Sequence, residues 1–145
     1  MRFFYIFLLV AGMAAVGAIT AQAQNAGTDN GGQAAVATII QNQLTALAEG
    51  DRAAAYSYAA PFIQRKFQNP ETFMEMVSKG YAPLIAPQAV DFQRFEASGT
   101  RATQAVMLVA RDGSAWIAYY LMQQMEGGSW RLAGCQLEKL PGGSV

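Results

Sequence analysis

RATQAVMLVARDGSAWIAYYLMQQM, residues 101–125, decides the fold. Val106-Met107-Leu108-Val109-Ala110 is an unbroken apolar run, and Asp112-Gly113 after it is a strong signal for a tight hairpin turn. Trp116, Ile117, Tyr119, Tyr120, Leu121 and Met122 then form a second apolar run. Two such runs around an Asp-Gly turn predict an antiparallel hairpin over 101–111 and 114–125. Both runs are apolar on both faces, so these are central strands that need cover on each side.

Downstream, Glu126-Gly127-Gly128 turns the chain again, and Ser129 to Leu140 (Trp130, Leu132, Cys135, Leu137) reads as a last strand before a tail, 141–145. Upstream, Ala89 to Ala97 alternates through Val90, Phe92 and Phe95. The slip at Gln93-Arg94 reads as a bulge, and Gly99 turns the strand into the hairpin. Four strands therefore run as a meander.

Before Pro87 the period is helical. Val36, Ile39, Ile40, Leu44 and Leu47 fall at spacings of three and four, which puts one apolar stripe on a helix over 33–49. Gly50 closes it and Asp51 caps a shorter helix over 51–60, which Pro61 ends or kinks. Phe62, Ile63 and Phe67 imply another half-buried turn or two. Asn69-Pro70-Glu71 is a helix start, with a cap, a proline in the first turn and an acid facing the dipole. Phe73, Met74 and Val77 are that helix's apolar face, and Gly80 stops it. Helices first and a meander after them imply an α+β domain with the helices on one sheet face. A strongly curved sheet wrapped around the first helix covers the inner face. The outer face then calls for a partner, most simply a second copy of the chain.

The chain opens with Met1-Arg2, an uncharged apolar run from Phe3 to Ile19, and Ala21-Gln22-Ala23. That is the layout of a secretory signal peptide cut after Ala23, which implies a periplasmic or secreted protein with no stable membrane insertion once cleaved. Residues 24–32 (QNAGTDNGG) are polar and Gly/Asn-rich and read as a flexible leader. Residues 33–140 form one domain.

Cleavage removes one base, Arg2, and no acid, leaving nine basic and ten acidic residues. The bases are scattered, with no stripe to neutralise phosphates, so nucleic acid is not an expected partner. The sequence has no histidine and one cysteine, Cys135. That set supplies neither a transition-metal site, nor an internal disulfide, nor a histidine-assisted nucleophile. No metal or cofactor is expected. Cys135, between apolar residues on a strand, reads as a buried, inert thiol.

The closing stretch Gly128-Ser129-Trp130-Arg131-Leu132-Ala133-Gly134-Cys135 resembles the G-x-W-R-[ILV] strand that ends the cone-shaped α+β fold of nuclear transport factor 2 and its relatives. With Ile39-Ile40-Gln41-Asn42-Gln43-Leu44, Pro70-Glu71-Thr72-Phe73-Met74-Glu75-Met76-Val77 and Gly80-Tyr81-Ala82-Pro83, the chain resembles more narrowly the DUF4864 family of uncharacterised exported bacterial proteins. The resemblance implies a cone-shaped domain over nearly all of 33–140 and carries no chemistry with it.

A cone lined by aromatics, with a few hydroxyls, suits a small apolar ligand. The candidate pocket lining is Tyr56, Phe62, Phe73, Tyr81, Phe92, Trp116, Tyr119 and Arg131. The leading expectation is a non-catalytic module for a small hydrophobic ligand or a protein partner, dimeric through the outer sheet face. One rival is a histidine-free isomerase or lyase that sets a carboxylate, Asp91 or Glu96, across a cavity from Tyr119 or Tyr120. The other is a periplasmic assembly scaffold. A cavity with an acid in its wall favours the enzyme, a cavity with apolar walls the carrier, and no cavity the scaffold.

Overall fold

The computed structural model describes residues 20–142. The apolar run 3–19 of the expected signal peptide, and residues 143–145 of the tail, lie outside the described residues. Four helices come first: α1 (Thr20–Glu49), α2 (Arg52–Ser57), α3 (Pro61–Phe67) and α4 (Pro70–Gly80). A single 3₁₀ turn at Ala82–Leu84 leads into β1 (Ala89–Ser98), β2 (Arg101–Val109), β3 (Ala115–Gln124) and β4 (Trp130–Lys139). The strands form one antiparallel sheet in the order β1-β2-β3-β4.

The caps work as their residue types require. Asp51 accepts a hydrogen bond from the Ala54 N–H (3.1 Å), and Asn69 Oδ1 accepts from the Thr72 N–H (2.8 Å). Pro61 and Pro70 occupy first turns, where a missing N–H is harmless. Gly113 and Gly128 turn with φ of 87° and 94°, a backbone region open to glycine and strained for other residues.

The inner sheet face is built from Val106 and Leu108 of β2, Ala118, Tyr120 and Met122 of β3, and Leu132 of β4, all buried. Val36, Ile40, Leu44 and Leu47 of α1 pack over it, none more than 3% exposed. α1 touches β1, β2 and β4, so one helix meets both edge strands. The sheet therefore curls around α1 without closing.

Two irregularities shape this sheet. In β1 the pairing slips between Phe92 and Phe95, at the residues read as a bulge. A bulge strands carbonyls. The fully buried Gln104 answers them, its Nε2 donating to Gln93 O (3.1 Å) and, on its own strand, to Ala105 O (2.8 Å). The second slip lies between β3 and β4, where Leu121 faces Gly134 and Met122 faces Leu132, leaving Ala133 extra. Beside it, Tyr58–Ala60 lies parallel to β4. The Leu132 N–H donates to Tyr58 O and the Ala60 N–H to Leu132 O, both at 2.8 Å.

That pairing corrects the expected helix over 51–60. α2 stops at Ser57 because the next residues spend their backbone groups on the β4 edge, and the Gln64 side chain holds the corner by donating to Tyr56 O and Ala59 O (both 3.1 Å). α1 is also longer than expected. Its described part runs from Thr20, so the backbone of residues 24–32, expected as a leader, is helical. Extending an existing helix gains one hydrogen bond per residue fixed, a far smaller barrier than starting one. Among the described residues no helix is long and apolar enough to cross a membrane.

Candidate functional site

A cavity of about 350 Å³ lies between α1, α3, α4 and the β3–β4 side of the sheet. Leu47 of α1, Ile63 and Phe67 of α3, Phe73 and Val77 of α4 and Leu132 of β4 supply apolar wall. Their placement follows from periodicity. Ile63 and Phe67 are one turn apart on α3, and Phe73 and Val77 one turn apart on α4. Three aromatic rings brace one side. Phe73 meets Tyr56 edge-on at 5.6 Å between ring centroids, and Phe67 edge-on at 6.1 Å.

The polar groups on the wall are few. Gln43 donates its amide N–H to Ala55 O (3.2 Å). Cys135 is half-buried, and burial pushes its thiol up to about 12. Tyr120 is fully buried, and its hydroxyl has no hydrogen-bond partner among the described residues. Burial, with a smaller contribution from Cys135, pushes that phenol well above its ordinary value, so it stays neutral. Lys66 is exposed at the wall, its ammonium 5.6 Å from the Phe67 ring centroid. No aspartate or glutamate among the described residues lines the cavity, and no cluster of three or more metal-ligating side chains occurs among them.

Of the residues expected as lining, Phe62, Phe73 and Tyr81 lie on this wall. Phe62 is 47% exposed, so it borders solvent there. The other five are placed elsewhere. Tyr56 stands behind Phe73 and donates its hydroxyl to Gln64 O. Phe92 packs half-buried against the core from β1. Trp116 is tied to the hairpin end, its indole N–H donating to Ser114 Oγ (2.8 Å). Tyr119 faces outward, because Ala118 and Tyr120 on either side of it face in. Arg131 is bound to the β4 edge, donating to Ala59 O (3.3 Å). Asp91 and Glu96, proposed as acids facing a tyrosine, are exposed on the outer side of β1, opposite Met107 and Thr103. The carboxylate–tyrosine pairing is thus not assembled in the cavity.

A family model described as "Domain of unknown function (DUF4864)" matches residues 30–145. The chain belongs to the DUF4864 family. Among solved structures, this DUF4864 chain is similar to an NTF2-like protein of unknown function from Silicibacter pomeroyi DSS-3. The two are 16% identical, 77% of this chain and 98% of that one are covered, and the TM-score is 0.52. An NTF2-like protein of unknown function from Shewanella baltica OS155 is 9% identical, with 86% and 99% covered and a TM-score of 0.53. At these identities the likeness establishes the NTF2-like α+β fold alone. No curated protein matches the chain.

Among the cavity residues of the DUF4864 domain, Gln43 and Cys135 escape sequence reasoning as wall, and Tyr120 enters it only as an alternative to Tyr119 opposite a carboxylate. One signal was available for two of them. Gln43 sits inside the apolar stripe between Ile40 and Leu47, and Tyr120 shares a sheet face with Trp116 where Tyr119 cannot. Nothing in β4 alone marks Cys135 as a wall residue, since its face depends on the extra residue at Ala133.

Proposed function

We propose that this domain is an exported, non-catalytic module that binds a small hydrophobic molecule in the cavity beneath α3 and α4. The observation that carries the reading is a cavity of about 350 Å³ whose wall is apolar and aromatic and holds no carboxylate. That size lies in the range of small-molecule sites, and the few polar groups match the usual pattern of an apolar site with a small number of orienting contacts. Export rests on the signal-like layout of residues 1–23 and the candidate cut after Ala23.

The test is titration with N-phenyl-1-naphthylamine, a neutral probe whose emission rises in apolar surroundings. Saturable binding is expected. Met76→Trp, which fills space from a half-buried wall position on α4, should weaken it by at least about tenfold, or roughly 1.4 kcal/mol. An unchanged affinity in a folded Met76→Trp variant would remove the cavity from the function.

We also propose that the outer sheet face pairs with a second copy of the chain. Ala105, Met107, Ile117, Tyr119 and Leu121 form its apolar middle, with Leu121 43% exposed. Arg101 and Arg131 outnumber Glu96 at one end of this face, and Asp91 and Glu138 stand at the other. A two-fold axis across the strands lays the basic end of one copy on the acidic end of its mate, which makes the face self-complementary. Sedimentation is expected to give twice the monomer mass at micromolar concentration, and Leu121→Glu to return it to the monomer. A monomer in both cases would defeat the pairing.

A further inference from the structure

We infer that the cavity takes a neutral ligand bearing a carbonyl, seated inward so that the carbonyl oxygen accepts a hydrogen bond from the Tyr120 hydroxyl. This rests on the hydrophobic-ligand reading above and narrows its ligand to a chemical class.

Tyr120 has 0% exposure, forms part of the cavity wall, and its hydroxyl finds no partner among the described residues. Buried hydroxyls are nearly always paired, and leaving one unpaired is unfavourable. The neighbouring wall does little to relieve it. Neither the amide oxygen of Gln43, whose N–H donates to Ala55 O, nor the Cys135 sulfur, a weak acceptor, stands within hydrogen-bond reach of it. A group that enters the cavity with an acceptor oxygen would satisfy the phenol, and the phenol, staying protonated, would always be able to donate.

The charge of that acceptor follows from the same wall. The cation that lines the cavity is Lys66, and it is exposed beside Phe67 rather than buried near Tyr120. A carboxylate beside Tyr120 would be desolvated without a counter-charge, which is far costlier than burying a carbonyl. A carbonyl supplies the acceptor without the charge. The ligand's apolar body then lies along Phe67 and Phe73 toward Phe62 at the solvent border.

Three probes on one ring system test this by calorimetric titration: naphthalene, 2-acetylnaphthalene and 2-naphthoate, each with the wild-type protein and with Tyr120→Phe. The acetyl compound is expected to bind about tenfold tighter than naphthalene to the wild type, a difference that Tyr120→Phe abolishes while naphthalene binding stays the same. The free Tyr120→Phe protein should also melt about 3 °C higher, because the unpaired hydroxyl is gone and the shape is kept. A merely structural tyrosine would lower the melting temperature instead. Equal affinity for naphthalene and its acetyl derivative would overturn the inference and leave the cavity reading standing, and failure of all three probes to bind would overturn both. Tightest binding by 2-naphthoate, lost in Lys66→Ala, would replace the inward carbonyl with an anion held at Lys66. A lower melting temperature for Tyr120→Phe would show that the hydroxyl is already served in the free protein, and would also overturn it.

Discussion

Phe73→Ala is expected to cost about 3–5 kcal/mol of folding stability, the range for removing a buried aromatic side chain. Phe73 is 5% exposed and is the ring that both Tyr56 and Phe67 meet edge-on, so its loss breaks two aromatic contacts and leaves a void. Collapse into that void is hindered. Tyr56 is tied to Gln64 through its hydroxyl, and α4 is anchored at its start by the Asn69 cap. Urea denaturation should show a lower midpoint with an unchanged slope. Phe62→Ala is the contrast. At 47% exposure it should stay within about 0.5 kcal/mol of the parent. Comparable losses for the two variants would mean that the aromatic brace around Phe73 contributes little beyond ordinary surface burial.

The second large effect is alkaline. Burial raises the Cys135 thiol from 9.0 to about 12, and raises the Tyr120 phenol well above 10.0. Both groups are neutral when protonated, and folding holds the proton on. The unfolded chain loses these protons at lower pH than the native one. From about pH 9 upward the unfolded state therefore binds fewer protons, and stability must fall as pH rises. Holding the thiol protonated up to about 12 corresponds to a loss of about 4 kcal/mol once pH reaches about 12, and the phenol adds loss in the same direction. Below about pH 8 neither group contributes any slope. Stability measured in urea at successive pH values should decline over this window, and Cys135→Ala should flatten part of the decline. An identical pH profile for Cys135→Ala would show that the thiol is not held protonated by the fold.

Local signals of turns and caps carry directly into the structure. Asn69-Pro70-Glu71 marks the start of α4 because a cap and a proline act within one turn of chain. Asp112-Gly113 places the β2–β3 hairpin, and the broken alternation at Gln93-Arg94 marks the slip in β1. What the sequence hides is non-local. Tyr58, Ala59 and Ala60 read as helix because their pairing with Leu132 depends on β4, far along the chain. Gln104 gives no sign of serving carbonyls stranded on another strand. Because β3 is apolar on both faces, hydrophobicity alone cannot say which face is inner, and Tyr119 rather than Tyr120 enters the expected lining. Pairing Trp116 with Tyr119 also ignores that neighbours of opposite parity cannot share a face. The cavity is legible only as an aromatic surplus, since its wall joins α1, α3, α4, β3 and β4 in an arrangement that packing alone defines.

The short parallel join between Ala59 and Leu132 has a consequence for how the chain assembles. Neighbouring strands are linked by turns of a few residues, so each hairpin closes a small loop and forms early. The helices pack on one another early, but the sheet that α1 covers and the strand that Tyr58–Ala60 joins lie later in the polypeptide. During synthesis from the N-terminus, the greasy side of α1 emerges well before Leu132 and has only α2, and later β1 and β2, to rest on until β4 is made. The last strand to be made is thus the latch of the whole domain, and nascent chains cut short of β4 are the ones that should aggregate.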